Sequence, residues 1–368
     1  DHRDLHLSIR RQRQMCIRDR VSYKDTDGDG TVDRIDVVYG ADISTSTFEA
    51  GDWSLAPAGL TVASGSVSGS TVAININGAP AGSTALSVTT ITYTAAAGTG
   101  GSITDGTTPS VDSGSTTVTD GAAPIVIDAE TVDADSDGQI DQIVVTLSEA
   151  ITDGTPGLDN TTFTAGAGYT VSGTATGSVA NDIEVVISLT ESGAGDTDAT
   201  PNVVLVASKI SDGTNALGAN QTFTGTIDGA QPLISSVSPA TNSRVNVADV
   251  AYTFSEPIAS GTVTYLQTGG SIDGSSPHTV TLSGAELNRG ARSLAALASA
   301  PTLVHDAVYS INFDATDVAG HAATPVQVTS VTFDTTLPTL SPVEIISDNT
   351  TTSLARVGDI ISLPFTSS

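Results

Sequence analysis

The stretch Asp133-Ala134-Asp135-Ser136-Asp137-Gly138-Gln139-Ile140-Asp141-Gln142-Ile143-Val144-Val145-Thr146-Leu147 decides the reading of this chain. Its second half places Ile143, Val145 and Leu147 at every other position, the period of a half-buried strand. Its first half places aspartates at positions 1, 3, 5 and 9 of a loop with glycine at position 6. The pattern returns 108 residues earlier as Asp25-Thr26-Asp27-Gly28-Asp29-Gly30-Thr31-Val32-Asp33, followed by Ile35, Val37 and Tyr39. Further along, Val250-Tyr252-Phe254 and Ile361-Leu363-Phe365 end similar runs, so that Tyr39, Leu147, Phe254 and Phe365 lie 108, 107 and 111 residues apart. A second marker, an aspartate four residues before a proline, occurs at Asp120, Asp228 and Asp334, spaced 108 and 106. Two independent markers with one period describe a repeated domain, because about 108 residues is too long for a solenoid unit and suits a small complete fold.

Within the second repeat, Ile143–Leu147, Thr162–Thr164, Tyr169–Ser172, Ile183–Leu189, Val203–Val206 and Gln221–Thr226 read as strands between Gly, Asn, Asp and Pro turns. The third repeat gives Val250–Phe254, Gly261–Leu266, Thr279–Leu282, Ala307–Phe313 and Val326–Phe333, with a helical composition only at Ser293–Ala298, read as a turn. Six or seven short strands per repeat predict an all-β chain of Greek-key β-sandwiches, beads on a string. The expected boundaries are 21–122, 123–230 and 231–336, with 337–368 opening a fourth repeat and the first repeat truncated at its N-terminal side.

Residues 1–20 are set apart. They resemble translated sequencing adapter, since Met15-Cys16-Ile17-Arg18-Asp19 is the reading of ATG-TGT-ATA-AGA-GAC, and they are expected to lie outside the fold. They carry the only Cys and Met and six of the 13 basic residues of a chain whose net charge is −28. So acidic a surface repels nucleic acid and anionic membrane and favours cations. No apolar run approaches the roughly eighteen residues of a membrane helix. Without cysteine beyond Cys16, stability must come from the cores, from bound metal, or from both.

The stretches Tyr252–Gly320 (YTFSEPIASG through FDATDVAG), Val331–Pro338 (VTFDTTLP), Val145–Ile151 (VTLSEAI) and Arg356–Phe365 (RVGDIISLPF) resemble the bacterial Ig-like domains found in tandem in very large surface proteins and adhesins. The resemblance spans 21–368 and is strongest from Ala230 onward. It implies an Ig-like sandwich and a bacterial cell-surface or extracellular place, and it carries no catalytic residue. The first repeat departs from it, with Gly40-Ala41-Asp42 where the others have Ser-Glu.

The aspartate loops have their own chemistry. Asp25, Asp27, Asp29 and Asp33, and in register Asp133, Asp135, Asp137 and Asp141, would repel one another unless a cation sat among them, and hard oxygens select Ca²⁺. Thr31 and Gln139, at position 7, would each offer a backbone carbonyl. Each loop leads into a strand, so it resembles the calcium loops of propeller and surface repeats and not a helix-loop-helix sensor. The alternative is a polar Asp-Gly turn without metal. A weaker set, Asp120, Asp228 and Asp334 with Glu149 and Glu256, falls near the repeat joints, where in cadherin-like chains such carboxylates share calcium between domains. The alternative there is that the aspartates open turns, the prolines end pairing, and the glutamates are solvated on an edge.

No catalytic constellation is legible. Beyond residue 20 the histidines are His278, His305 and His321, without a nucleophile elbow or paired-His metal motif. Trp53 and Tyr23 read as packing or rim aromatics and not as a sugar platform, and His321 as a solvated turn residue. The expected function is a non-catalytic spacer in a surface or secreted adhesin, stiffened by calcium, with neighbouring cells, surface glycans or matrix engaged by other parts. The alternative is a set of accessory modules of a secreted carbohydrate-active or proteolytic enzyme. Flanking sequence would separate them: more repeats and an anchor, or a catalytic domain.

Overall fold

The computed structural model describes residues 18–95, 103–106, 110, 114–153, 157–166, 168–191, 193–292, 297 and 299–367. The chain divides into two compact units, Asp1–Leu233 and Ile234–Ser368. No helix among the described residues is long and apolar enough to cross a membrane.

The first unit holds two sandwiches on one plan. In the first, β1 (Arg18–Lys24), β2 (Arg34–Tyr39), β3 (Trp53–Ala56), β4 (Thr61–Ser68), β5 (Thr71–Asn77), β6 (Thr90–Tyr93) and β7 (Thr116–Thr117) form sheets of order β1-β2-β5-β4 and β3-β6-β7. In the second, β8 (Val126–Val132), β9 (Gln142–Leu147), β10 (Phe163–Ala165), β11 (Thr170–Thr176), β12 (Glu184–Thr190), β13 (Val203–Leu205) and β14 (Gln221–Phe223) form β8-β9-β12-β11 and β10-β13-β14. Lettered A to G, both read A-B-E-D and C-F-G, the strand order of an immunoglobulin constant-type sandwich. The order arises because strand B carries the cleanest alternation and sits centrally. Ile143, Val145 and Leu147 are all buried, and Val145 and Ile143 lie opposite Val185 and Ile187 of β12. Gly69, at φ +57°, takes the left-handed backbone that the two-residue turn between Ser68 and Thr71 requires.

Each sandwich closes on its own core. One core gathers Ile35, Val37, Val72, Ile74, Ile91 and Tyr93 around Trp53, whose ring lies 4.8 Å from that of Tyr93. The next gathers Ile143, Val145, Leu147, Val185, Ile187, Val203 and Leu205 around Phe163. Trp53 and Tyr23 are thus packing residues. The strand edge at residue 20 needs correction: Arg18–Arg20 belong to β1, with Arg18 opposite Tyr39 and its guanidinium 5.7 Å from the Trp53 ring centre. Residues 1–17 lie outside the described residues.

The second unit holds a third sandwich. Here β15 (Ile234–Ser238), β16 (Arg244–Val245), β17 (Ala251–Phe254), β18 (Ile258–Gly270), β19 (His278–Thr281), β20 (Gly290–Arg292), β21 (Ala307–Asp317) and β22 (Val326–Phe333) form β15-β17-β20 and β16-β22-β21-β18-β19. Its core includes Phe254, Tyr265, Tyr309, Phe313 and Val331. Apart from Leu297, the helical-composition segment lies outside the described residues. The unit also contains β23 (Leu340–Val343) paired with β26 (Phe365–Ser367), and β24 (Ile346–Ser347) paired with β25 (Ile361–Ser362). Ile361, Leu363 and Phe365 are exposed there. Phe365 therefore differs from Tyr39, Leu147 and Phe254, because the described strands around it form only two-stranded sheets.

In the third sandwich Asp273 ties the β18–β19 connection to the core. Its Oδ2 lies 2.7 Å from both His278 Nε2 and the Tyr309 hydroxyl, and the Ser275 amide donates to Oδ1. Those bonds, His278's first, hold the carboxyl down at about 2 against burial. A depressed acid stabilises the fold above its unfolded value of about 3.9 and loses that contribution as pH falls through the folded value. Wild-type stability of this sandwich should thus fall between about pH 4 and pH 2, and Asp273→Asn, which turns a donor toward two donors, should flatten that acid limb. Denaturation midpoints across pH check it, and equal slopes in the two chains would contradict it.

Candidate metal centres

Both aspartate loops bridge strands A and B, and the backbone dictates their shape. Positions 4 and 6 take positive φ in each: Gly28 (+76°) and Gly30 (+84°), Ser136 (+63°) and Gly138 (+94°). These left-handed residues curl the chain so that its amides face the first carboxylate. Asp25 accepts from the Gly28 and Gly30 amides at 2.8 and 2.9 Å. Asp133 accepts from Asp137 and Gly138 at 3.2 and 2.8 Å. Position 5 accepts from position 7, Asp29 from Thr31 at 2.8 Å and Asp137 from Gln139 at 2.9 Å.

The outcome is convergence of positions 1, 3 and 5. One carboxylate oxygen each from Asp25, Asp27 and Asp29 lies within 4.8 Å of the others, and the same holds for Asp133, Asp135 and Asp137. Position 9 closes the loop: Asp33 accepts the Thr26 amide at 3.1 Å and also its hydroxyl, and Asp141 accepts the Ala134 amide at 3.0 Å. Side chains at position 7 are committed elsewhere. The Thr31 hydroxyl oxygen accepts the Gly82 amide at 3.2 Å, while Gln139 donates to Asp137 and accepts from Gly193. This all-oxygen donor set fits a hard divalent cation.

Burial raises the carboxyls of Asp25 and Asp133 against the lowering effect of their amide bonds. Glu191, just past β12, is raised first by the charge of Asp137 and, after desolvation, by Asp135, Asp141 and Asp133. It therefore adds its charge to the second loop. Asp196 folds onto the same loop, accepting the Ile140 amide at 2.9 Å and the Tyr169 hydroxyl at 2.7 Å. Neither follows from the spacing of the aspartates, because both come from the loop after strand E.

A second arrangement lies where the two sandwiches of the first unit meet. Carboxylate oxygens of Asp120, Glu149 and Asp212 lie within 4.8 Å of one another. Glu149 is buried, with 3% of its surface exposed, and accepts from the Thr84 hydroxyl at 2.8 Å. Burial, with the charges of Asp120 and Asp212, pushes its carboxyl up to about 8 although the Thr84 bond acts the other way. Asp120 is also raised, by burial first. Asp212 is burdened by desolvation but ends lower, held by the amides of Asn215 and Thr214 and the Asn215 side chain. Sequence spacing pointed to Asp120 and Glu149 and missed Asp212 and Thr84. A signal for Asp212 existed: Ile210-Ser211-Asp212-Gly213-Thr214 echoes Ile103-Thr104-Asp105-Gly106-Thr107 at a spacing of 107.

All three joint aspartates open turns, each accepting the amide two residues on: Ala122 at 3.0 Å, Ala230 at 3.2 Å and Thr336 at 2.9 Å. Asp334 also pairs with Arg244 at 3.1 Å and lies 3.7 Å from His305. Glu256, like Glu149, is buried, so neither is a solvated edge residue. His321 closes a turn with Asp317, whose Oδ1 accepts its amide at 2.7 Å. No protein-family model and no curated protein matches the chain. Among solved structures, the FN1–FN3 domains of chicken CNTN1 are similar at 10% identity and a TM-score of 0.20, covering 84% of this chain and 97% of that one. The strand order, not this likeness, identifies the fold.

Proposed function

We propose that the chain is a non-catalytic spacer of tandem Ig-like sandwiches, repeating over 18–122, 123–230 and 231–336 and beginning again at 337–368, from a bacterial cell-surface or secreted adhesin. Calcium stiffens it. The first ion is held by Asp25, Asp27 and Asp29, the second by Asp133, Asp135 and Asp137, and a further cation of the same class by Asp120, Glu149 and Asp212. The observation that carries this reading is the recurrence of one loop geometry, three converging carboxylates over two left-handed residues, at the A–B turn of successive sandwiches. A turn used only to reverse the chain has no need of three mutually repelling carboxylates in register. Excess acidic charge and the buried Glu149 agree with a cation-loaded molecule.

The affinity expected of a short exposed extracellular loop is about 10⁻⁴ to 10⁻³ M. Titration calorimetry of the full chain should show saturable calcium binding, with Asp27→Ala and Asp135→Ala each deleting one event while the circular dichroism of the sandwiches is retained. Absence of calcium heat at millimolar concentration would remove the calcium part of this reading.

A further inference from the structure

The first aspartate loop is also a bearing surface. A Cβ placed on Gly30 would lie 2.5 Å from Cγ2 of Ile127, 3.5 Å from the Ser148 Cβ and 3.6 Å from Cδ1 of Ile125, so the second sandwich rests directly against the loop. The Gly30 amide meanwhile donates to Asp25 at 2.9 Å. One residue thus touches the first carboxylate with its N–H and the neighbouring sandwich with its Cα. Beside it, the segment 82–84 acts as a strap. The Gly82 amide donates to Thr31 at 3.2 Å, the Thr84 amide donates to the Ser148 carbonyl at 3.2 Å, and the Thr84 hydroxyl lies 2.7 Å from the Ser148 hydroxyl. Ile125 is buried at this seam, although it belongs to neither sandwich core.

We propose that cation loading of the loop Asp25–Asp33 and seating of the second sandwich on Gly30 are one coupled equilibrium, transmitted through the Gly30–Ile127 contact and the strap Gly82–Thr84. The proposal rests on the calcium reading of the loop and goes beyond it, because the coupling uses no shared ligand: apolar contact and backbone bonds transmit it. A loop spread by repelling carboxylates moves Gly30 away from Ile127, whereas a loop drawn in around a cation presents the flat glycine face that the isoleucine needs. Linkage makes the effect reciprocal, so whatever factor seating adds to calcium affinity, calcium adds to seating.

Calcium titration of the isotope-labelled full chain, followed at individual backbone amides, tests this. Gly28 and Gly30 report the first loop, and Gly138 and Gln139 the second. Ile127→Ala should weaken the first loop at least about fivefold, the lower range of such couplings, and leave the second unchanged. Ile127→Val should weaken it less, in the same direction, and the second loop's response shows that each variant is folded. In the unsubstituted chain, saturating calcium should slow hydrogen exchange at the Thr84 amide, which crosses the seam, and Asp27→Ala should abolish that slowing. Equal first-loop affinity in the unsubstituted chain and in Ile127→Ala would overturn the coupling while leaving the calcium sites standing. Slowing that persists in Asp27→Ala would overturn it too, placing the ion at Asp120, Glu149 and Asp212 instead. No calcium response at any amide would remove the calcium reading and the coupling together.

Discussion

Truncating Phe163 to alanine is expected to destabilise the second sandwich by about 3–5 kcal/mol, the range for deleting a fully buried phenylalanine. Phe163 has no exposed surface, and its strand β10 lies against β13, where Leu205 is its direct partner. Among the described residues it is the only phenylalanine in a fully buried position of that core, whose other buried members are aliphatic or small. A small domain has a total stability of about 5–15 kcal/mol, so the loss is a large share of the whole. Because each sandwich closes on its own cluster, the effect should stay local. Native-state hydrogen exchange on the full chain should show protection falling in β8–β14 and retained in β15–β22. A matching fall in the third sandwich would mean that the cores unfold as one. Val179→Ala, at a position 63% exposed, is the control and should change stability by no more than about 0.5 kcal/mol.

The same cores show what was readable in the sequence. Strand B is legible in each sandwich because its two-residue period is unbroken: Ile35 and Val37, Ile143 and Val145, and Tyr252 and Phe254 all point inward. Strand A of the second and third sandwiches is not, and the cause is local geometry. The β8–β9 register shifts between Val126 and Asp128, and the β15–β17 register between Ser235 and Ser238, where Ser236 takes a φ of +50°. A bulge adds a residue and breaks the period that a pattern search relies on. The convergence of the aspartate loops was legible for the opposite reason: all their carboxylates lie within nine residues, so spacing alone determines which can meet. The joint cluster draws on Asp120, Glu149 and Asp212 from three separate segments. Linear spacing contains the period of such residues but not their meeting.

That cluster leads to the second large effect. In chelator, the stability of the first unit is expected to fall as pH rises from about 4.5, the ordinary value for Glu149, to about 8, its value in the fold. The sign follows from proton counting. Between those limits the folded state keeps a proton that the unfolded state has released, so unfolding is favoured progressively as protons become scarce, and above pH 8 the loss is complete. The size follows from the span, since each pH unit of difference corresponds to about 1.4 kcal/mol, giving at most about 5 kcal/mol for the proton shared with Asp120. Glu149→Gln keeps the shape, keeps an acceptor for the Thr84 hydroxyl and supplies a permanent donor toward Asp120. It should therefore flatten the pH dependence and be the more stable chain at pH 8 in chelator. If the proposed cation binds there, calcium should reverse that order, because an ion among Asp120, Glu149 and Asp212 would do the neutralising work of the proton and would require the charged carboxylate that glutamine lacks. Urea denaturation at pH 5, 7 and 9, with chelator or with calcium, measures all of this on the full chain. Parallel pH curves for the two chains in chelator would mean that Glu149 is already ionised in the fold, its charge satisfied by Thr84 alone.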